Sequence, residues 1–141
     1  MTFDQLFVSK KIEQIRNYIK EVEDFLNFSD RDILTDSLKM HVAERLVQLI
    51  VDTMLDINQH FIRELNLKTG DDFQGTFYIL ASAKILPDDF AKKIAPIVAV
   101  RNRIVHGYES LDKEMFLKNL RKHYSDFADY ADIIKKYLVN I

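Results

Sequence analysis

Two arginines, an asparagine and a histidine crowd into an otherwise apolar stretch of this chain. Arg101-Asn102-Arg103 and His106 lie between Ile97-Val98-Ala99-Val100 and Ile104-Val105, directly before Gly107 and Tyr108. Two readings of the cluster stand side by side. One is a solvated polar face ending in a histidine at a helix C-terminus, where the helix dipole favours an imidazolium. The other is a phosphodiester site. On a helix, Asn102 and His106 are four apart and Arg103 and His106 three apart, so each pair shares a face. Arg101 stands about 140° from His106 on an ideal helix. The two reach one phosphate only if the helix end unwinds, which Gly107 permits, or if a second subunit contributes, as in a symmetric dimer. Either Arg101 or Arg103 could hold the phosphate. Tyr108, taken alone, reads as a packed ring with its hydroxyl at the surface.

The other chemistry-bearing residues are weaker candidates. Asp56 and His60 are four apart, the spacing of a metal pair on a helix, but the sequence offers no third ligand, and an orienting or surface pair is the competing reading. Glu44-Arg45 reads as an ion-pairing couple and His41 and His123 as surface or partly packed residues. Lys10-Lys11, Lys92-Lys93, Arg121-Lys122 and Lys135-Lys136 read as solvated helix faces, one of which could steer a polyanion. With no cysteine in the chain, thiolate metal sites, disulfides and thiol nucleophiles are excluded. No glycine-rich phosphate loop, serine nucleophile motif or zinc signature occurs.

The elements that must position these residues read as helices. The 141 residues are about one domain's worth of chain, 48% hydrophobic and 30% charged, and the 1–141 span is expected to form a single domain. Three Gly and two Pro leave too little punctuation for an all-β fold. Ile12, Ile15, Ile19, Val22 and Leu26 make one stripe of a first helix over 4–27. Ser29 or Asp30 can cap the next element, and a second, long helix is expected from Ser37 to Leu65. It carries one row of Val42, Leu46, Leu49, Ile57 and Phe61 and another of Val47, Val51 and Leu55, which suits a central or shared helix. After the loop Lys68-Thr69-Gly70-Asp71-Asp72, a short third helix is expected over 76–85. A fourth should run from Pro87 to His106, kinked at Pro96 and stopped by Gly107. A fifth should cover 112–139, with a core row of Leu117, Leu120, Tyr124, Phe127, Ala131, Ile134 and Leu138 and a heptad row of Phe116, His123, Tyr130 and Tyr137. The expected fold is an all-α antiparallel bundle of four to five helices. Helix two has apolar rows on two faces and helix five an extra aromatic row, so a homodimer is expected as well. Twenty basic against 22 acidic residues, a net charge of −2, leave no global field for nucleic acid or lipid, so an RNA contact would be a local patch. The N-terminal segment reaches Lys10 and Lys11 before any secretory apolar core and no later run suits a membrane span, so the cytoplasm is the expected location.

The run Arg101-x4-His106-x-Tyr108 resembles the R-x4-H-x-Y signature of the HEPN superfamily, in its HepT-like toxin branch. Context over nearly the whole chain strengthens the resemblance: a first amphipathic helix, Ala43-Glu44-Arg45-Leu46 leading to Asp56-Ile57-Asn58-Gln59-His60 on a long helix, the Leu86-Pro87 restart, and Arg101-Asn102 near the end of helix four. The resemblance implies a HEPN-like bundle acting as a metal-independent endoribonuclease toxin of a toxin-antitoxin pair, with no cofactor and with paired motifs at a homodimer cleft. His106 and Arg101 would be catalytic, and Asn102 and Arg103 supporting or RNA-binding. The residues suit that chemistry. RNA carries its own nucleophile, the 2′-OH, so a site needs a general base working near neutral pH and a cation for the developing phosphorane. Arginine can hold two phosphate oxygens at once and stays charged. One histidine cannot easily be both base and acid in a turnover, so two copies of His106 could divide the roles. The resemblance further implies that Tyr108 accepts adenylyl groups from a minimal nucleotidyltransferase antitoxin of the MntA type. The competing function is a non-catalytic HEPN partner that docks and regulates a nucleotidyltransferase.

Overall fold

Helix α1 spans Gln5–Phe25 in the computed structural model, which describes residues 4–107 and 111–141. Asp4 starts it by accepting the Phe7 amide at 3.0 Å. Its buried stripe is Val8, Ile12, Ile15, Ile19, Val22 and Phe25; Leu26, expected in the stripe, is the half-buried cap residue and Phe25 takes its place. A five-residue helix, α2 (Asp30–Leu34), comes next, which the periodicity did not single out. Ser29 caps it by accepting from the Asp32 amide at 3.1 Å.

Helix α3 (Ser37–Glu64) is the centre of the molecule and packs against α1, α2 and, further along the chain, α4 (Gly75–Ser82) and α6 (Ile97–His106). Val47, Val51 and Leu55 are all buried, whereas in the other expected row Val42 is 48% exposed and Leu49 half-buried. The helix closes through Asn66, whose positive φ of 52° lets the Leu67 amide reach the Ile62 carbonyl at 2.9 Å. Helix α4 ends three residues sooner than expected, because Lys84 turns to φ 65° and the Ile85 amide folds back on the Leu80 carbonyl at 2.9 Å.

The expected fourth helix is two helices, α5 (Asp88–Ile94) and α6, rather than one with a kink. Pro96 has no amide to continue the ladder and its ring crowds the preceding turn, so the chain stops and restarts there. The expected fifth helix is likewise divided into α7 (Lys113–His123) and α8 (Ser125–Val139), where the Phe127 amide bonds the Tyr124 carbonyl three residues back instead of four. That division breaks up the heptad row: Phe116 and Tyr130 are buried, Tyr137 half-buried and His123 exposed. Helix α1 also packs on α8, and one continuous apolar cluster links the elements. Counting α5–α6 and α7–α8 as broken single rods and setting α2 aside leaves the five-helix all-α bundle expected from the sequence. No helix among the described residues is long and apolar enough to cross a membrane.

Candidate active site

Helix α6 holds the motif, and its geometry decides which residues meet. It stays helical through His106, where Gly107 adopts φ 66° and returns its amide to the Arg103 carbonyl at 3.0 Å. The helix end therefore does not unwind, and Arg101 and His106 stay on different faces. Arg101 is half-buried. Its Nε donates to Asp52 Oδ1 of α3 at 2.7 Å and its Nη1 to Asn102 Oδ1 at 3.2 Å. These bonds use two of the five guanidinium N–H groups and leave the Nη2 amino group for an anion. Arg103 and His106 are exposed. Asn102 and Arg103 open onto different hollows: Asn102 lines a cleft of about 880 Å³ against the second half of α3, and Arg103 lines a smaller one, about 320 Å³, between α6 and α7. Tyr108 lies outside the described residues.

Several of the remaining candidates make contacts within the fold. Asp56 turns to α1, where it accepts from Lys11 Nζ at 3.1 Å. His60 stacks on Phe7 of the same helix, ring centroids 4.6 Å apart, with Arg63 Nη2 3.5 Å from its Nδ1. Burial holds the His60 imidazole below its ordinary range, Glu64 pulling the other way. Both residues thus face α1, while their neighbours Gln59, Ile62 and Arg63 face the motif side. No group of three His, Asp or Glu among the described residues is placed to hold a metal. Glu44 is half-buried, and Arg45 and His41 are exposed. His123 Nδ1 and Lys93 Nζ each stand 3.5 Å from the carboxylate of the buried Asp126. Arg121 is no solvated residue: it bonds Asp30 at 2.6 Å and the Leu26 and Phe28 carbonyls at 2.9 and 2.7 Å, tying α7 to the α1–α2 turn.

Asp52, the carboxylate that holds the motif's Arg101, is a residue that spacing alone did not single out. Its signal was present: a carboxylate inside the mostly apolar run Leu49–Leu55 is the same kind of oddity as two arginines in α6. Its partner, 49 positions away, was not visible.

Comparison with known proteins gives the family of the chain. Residues 15–134 match the family model described as ribonuclease HepT-like. The chain is 29% identical over 140 residues to the tRNA nuclease HepT of Aphanizomenon flos-aquae, covering 98% of this chain and 94% of that protein. It is 24% identical over 132 residues to the mRNA nuclease HepT of Shewanella oneidensis, covering 91% and 96%. Its fold superposes with a TM-score of 0.85, at 22% identity and 92% and 97% coverage, on the tri-AMPylated Shewanella oneidensis HEPN toxin solved in complex with its MNT antitoxin. The chain belongs to the HepT-like ribonuclease family, and it is an enzyme of the endoribonuclease class, as the motif led us to expect.

Proposed function

We propose that this chain is a metal-independent ribonuclease toxin whose active site is composite, with Arg101 and His106 as catalytic residues and a homodimer as the working form. The observation that carries the reading is the separation of the two groups on an unbroken helix: α6 is helical to His106, so a second copy supplies the group that one chain cannot bring round. In the reaction one His106 imidazole takes the proton of a 2′-OH, the 2′-oxygen bonds to the adjacent phosphorus, and the bond from phosphorus to the 5′-oxygen breaks. Water protonates the departing 5′-oxygen and the imidazolium returns its proton to the hydroxide so formed, which leaves a 2′,3′-cyclic phosphate and a 5′-hydroxyl. Arg101, steadied by Asp52 and Asn102, faces the charge that gathers on the non-bridging oxygens. Arg103 binds flanking phosphate. The similarity to a tRNA nuclease and an mRNA nuclease supports RNA as the substrate, and the similarity to an AMPylated toxin bound to its MNT antitoxin supports a nucleotidyltransferase partner. In this reading Tyr108 accepts the AMP, whose phosphate and bulk close the site to RNA. The setting is cytoplasmic.

Purified protein is expected to cleave RNA in EDTA, and His106→Ala and Arg101→Ala are each expected to slow cleavage by about a hundredfold or more with helix content unchanged by circular dichroism. Cleavage that needs a divalent metal, or unaltered rates in both variants, would overturn the mechanism; a larger loss in Arg103→Ala would move the phosphate role to that residue. Incubation with the partner enzyme and ATP should add adenylyl mass and stop cleavage. Tyr108→Phe should keep its activity and gain no mass, whereas a mass gain in that variant assigns the modification elsewhere.

A further inference from the structure

The cleft beside the motif has a chemistry of its own. It runs from Asn102 along the second half of α3 to the α3–α4 loop, and its volume, about 880 Å³, is in the range of small-ligand clefts, roughly 300–1,000 Å³. Four of its lining side chains are amides, Gln59, Asn66, Gln74 and Asn102. Each offers a donor and an acceptor together, the combination that the edge of a nucleobase matches. Asn102 is held by Arg101, while the amides of Gln59, Asn66 and Gln74 make no hydrogen bond to protein among the described residues. At the rim Phe73 is 44% exposed, an aromatic face next to those amides.

Charge argues against a phosphate in this cleft. Arg63 is its one lining cation among the described residues, against the carboxylates of Asp71 and Asp72 at the loop end. A sugar-phosphate backbone is repelled there, but a neutral base is not. The loop is also held in place. The Thr76 hydroxyl donates to the Phe73 carbonyl at 2.6 Å and accepts from Asn58 Nδ2 at 3.0 Å, and Asn58 Oδ1 accepts from the Tyr130 hydroxyl at 2.6 Å. Asn58, Thr76 and Tyr130 are all buried, so this chain of bonds anchors Phe73 and Gln74 to α3 and α8. Asp72 Oδ1 adds a bond to the Gly75 amide at 2.7 Å. Such anchoring pre-organises a surface for recognition.

We propose that this cleft is a base-reading subsite of the ribonuclease: an unstacked base of single-stranded RNA enters it, stacks on Phe73 and is read along its edge by Gln59, Asn66 and Gln74. The assignment rests on the ribonuclease reading above. Gln59 lies seven positions from Asp52, about 10 Å along α3, so the base that is read neighbours the scissile linkage and sets sequence preference, while the motif does the chemistry.

A randomised single-stranded RNA pool, digested and sequenced at the new ends, tests this in the full-length protein. Wild-type protein should show a base preference at one position flanking the cut. In Gln59→Ala and Asn66→Ala the preferred sequence should lose about tenfold in rate and the preference at that position should flatten, with the helical spectrum unchanged. Phe73→Ala should raise KM for all sequences, and Phe73→Tyr, which keeps a stacking face, should restore it. A second readout is independent of cleavage: fluorescence anisotropy of labelled oligo(A), oligo(U) and oligo(C) with His106→Ala, where adding Gln59→Ala should remove differences among the three. An unchanged preference profile, or unchanged differences among the oligomers, overturns the subsite even if the enzyme cleaves RNA. If these substitutions leave both readouts alone and instead weaken binding of the nucleotidyltransferase, the cleft is a protein-docking surface and the base-reading assignment is wrong. If wild-type protein cleaves no RNA, the ribonuclease reading itself fails, and the oligomer binding then decides the subsite separately.

Discussion

Arg101 and Asp52 form a half-buried pair, and in the proposed mechanism the carboxylate is a positioning residue rather than a catalytic one. With side chains 20% and 34% exposed, the pair is screened less than an open surface pair. Asp52 grips Nε, Asn102 steadies Nη1, and the Nη2 amino group is presented in one orientation. Losing that grip leaves the charge but scatters the geometry, and misplacement by about 1 Å can cost roughly a hundredfold in rate. Asp52→Ala is therefore expected to lower kcat by about ten- to a hundredfold with KM changed little. Asp52→Asn keeps an acceptor for the Nε–H and should recover most of the rate. Equal losses in both variants, or a loss confined to KM, would remove the positioning role. Steady-state kinetics on a single oligoribonucleotide separates these outcomes.

Among the elements, α3, α4 and α8 are joined by the buried bonds from Tyr130 to Asn58 to Thr76. Burial raises the Tyr130 hydroxyl well above the ordinary tyrosine range, so it stays protonated and serves as a donor. Its proton goes to Asn58 Oδ1 at 2.6 Å, with the Met54 carbonyl as a longer alternative at 3.2 Å. Tyr130→Phe keeps the ring that meets Phe77 edge-on but leaves a buried acceptor without its donor. The expected cost is about 1–3 kcal/mol, read as a lower urea midpoint with an unchanged slope. Replacing only the exposed Tyr78 by Phe should leave the midpoint in place. A Tyr130→Phe variant as stable as the parent would show that the network positions nothing.

At the level of the whole molecule, the proposed composite site makes oligomeric state part of the chemistry. A mixture of Arg101→Ala and His106→Ala protomers, denatured and refolded together, tests whether the missing group comes from the second copy. Each hetero-dimer then holds one site with the intact Arg101 of one chain and the intact His106 of the other. Random pairing makes about half of the dimers mixed, each with one of its two sites complete, so about a quarter of wild-type activity should return. Either variant refolded alone should remain inactive. No recovery in a mixture that sediments as a dimer would exclude this pairing, as would a chemistry that needs both copies of His106 in one site. Sedimentation of wild-type protein at 16.6 kDa over micromolar concentrations would reject the dimer itself.

Periodicity and punctuation carried most of the fold. The stripe Ile12, Ile15, Ile19 and Val22 and the uninterrupted stretch after Ser37 placed α1 and α3 nearly to their ends, because burial of an apolar face and the absence of Gly and Pro are local properties. Gly107 foretold the end of α6, since a stop at positive φ needs no distant partner. The breaks at Pro96 and Tyr124 were less legible. A proline kink and a full stop look alike in sequence, and Tyr124 carries no breaker at all; tertiary packing decides whether the ladder bends or restarts. In the site, a charge cluster inside an apolar run picked out Arg101, Asn102, Arg103 and His106 and left two routes for joining Arg101 to His106. Only the tertiary structure closed one route, by keeping α6 helical to its last residue. It alone also brought Asp52 to Arg101, turned Asp56 and His60 toward α1, and lined one cleft with amides from α3, the loop and α6. Residue type and spacing announce what a side chain can do, but contacts between residues tens of positions apart depend on how the helices pack, which no local pattern encodes.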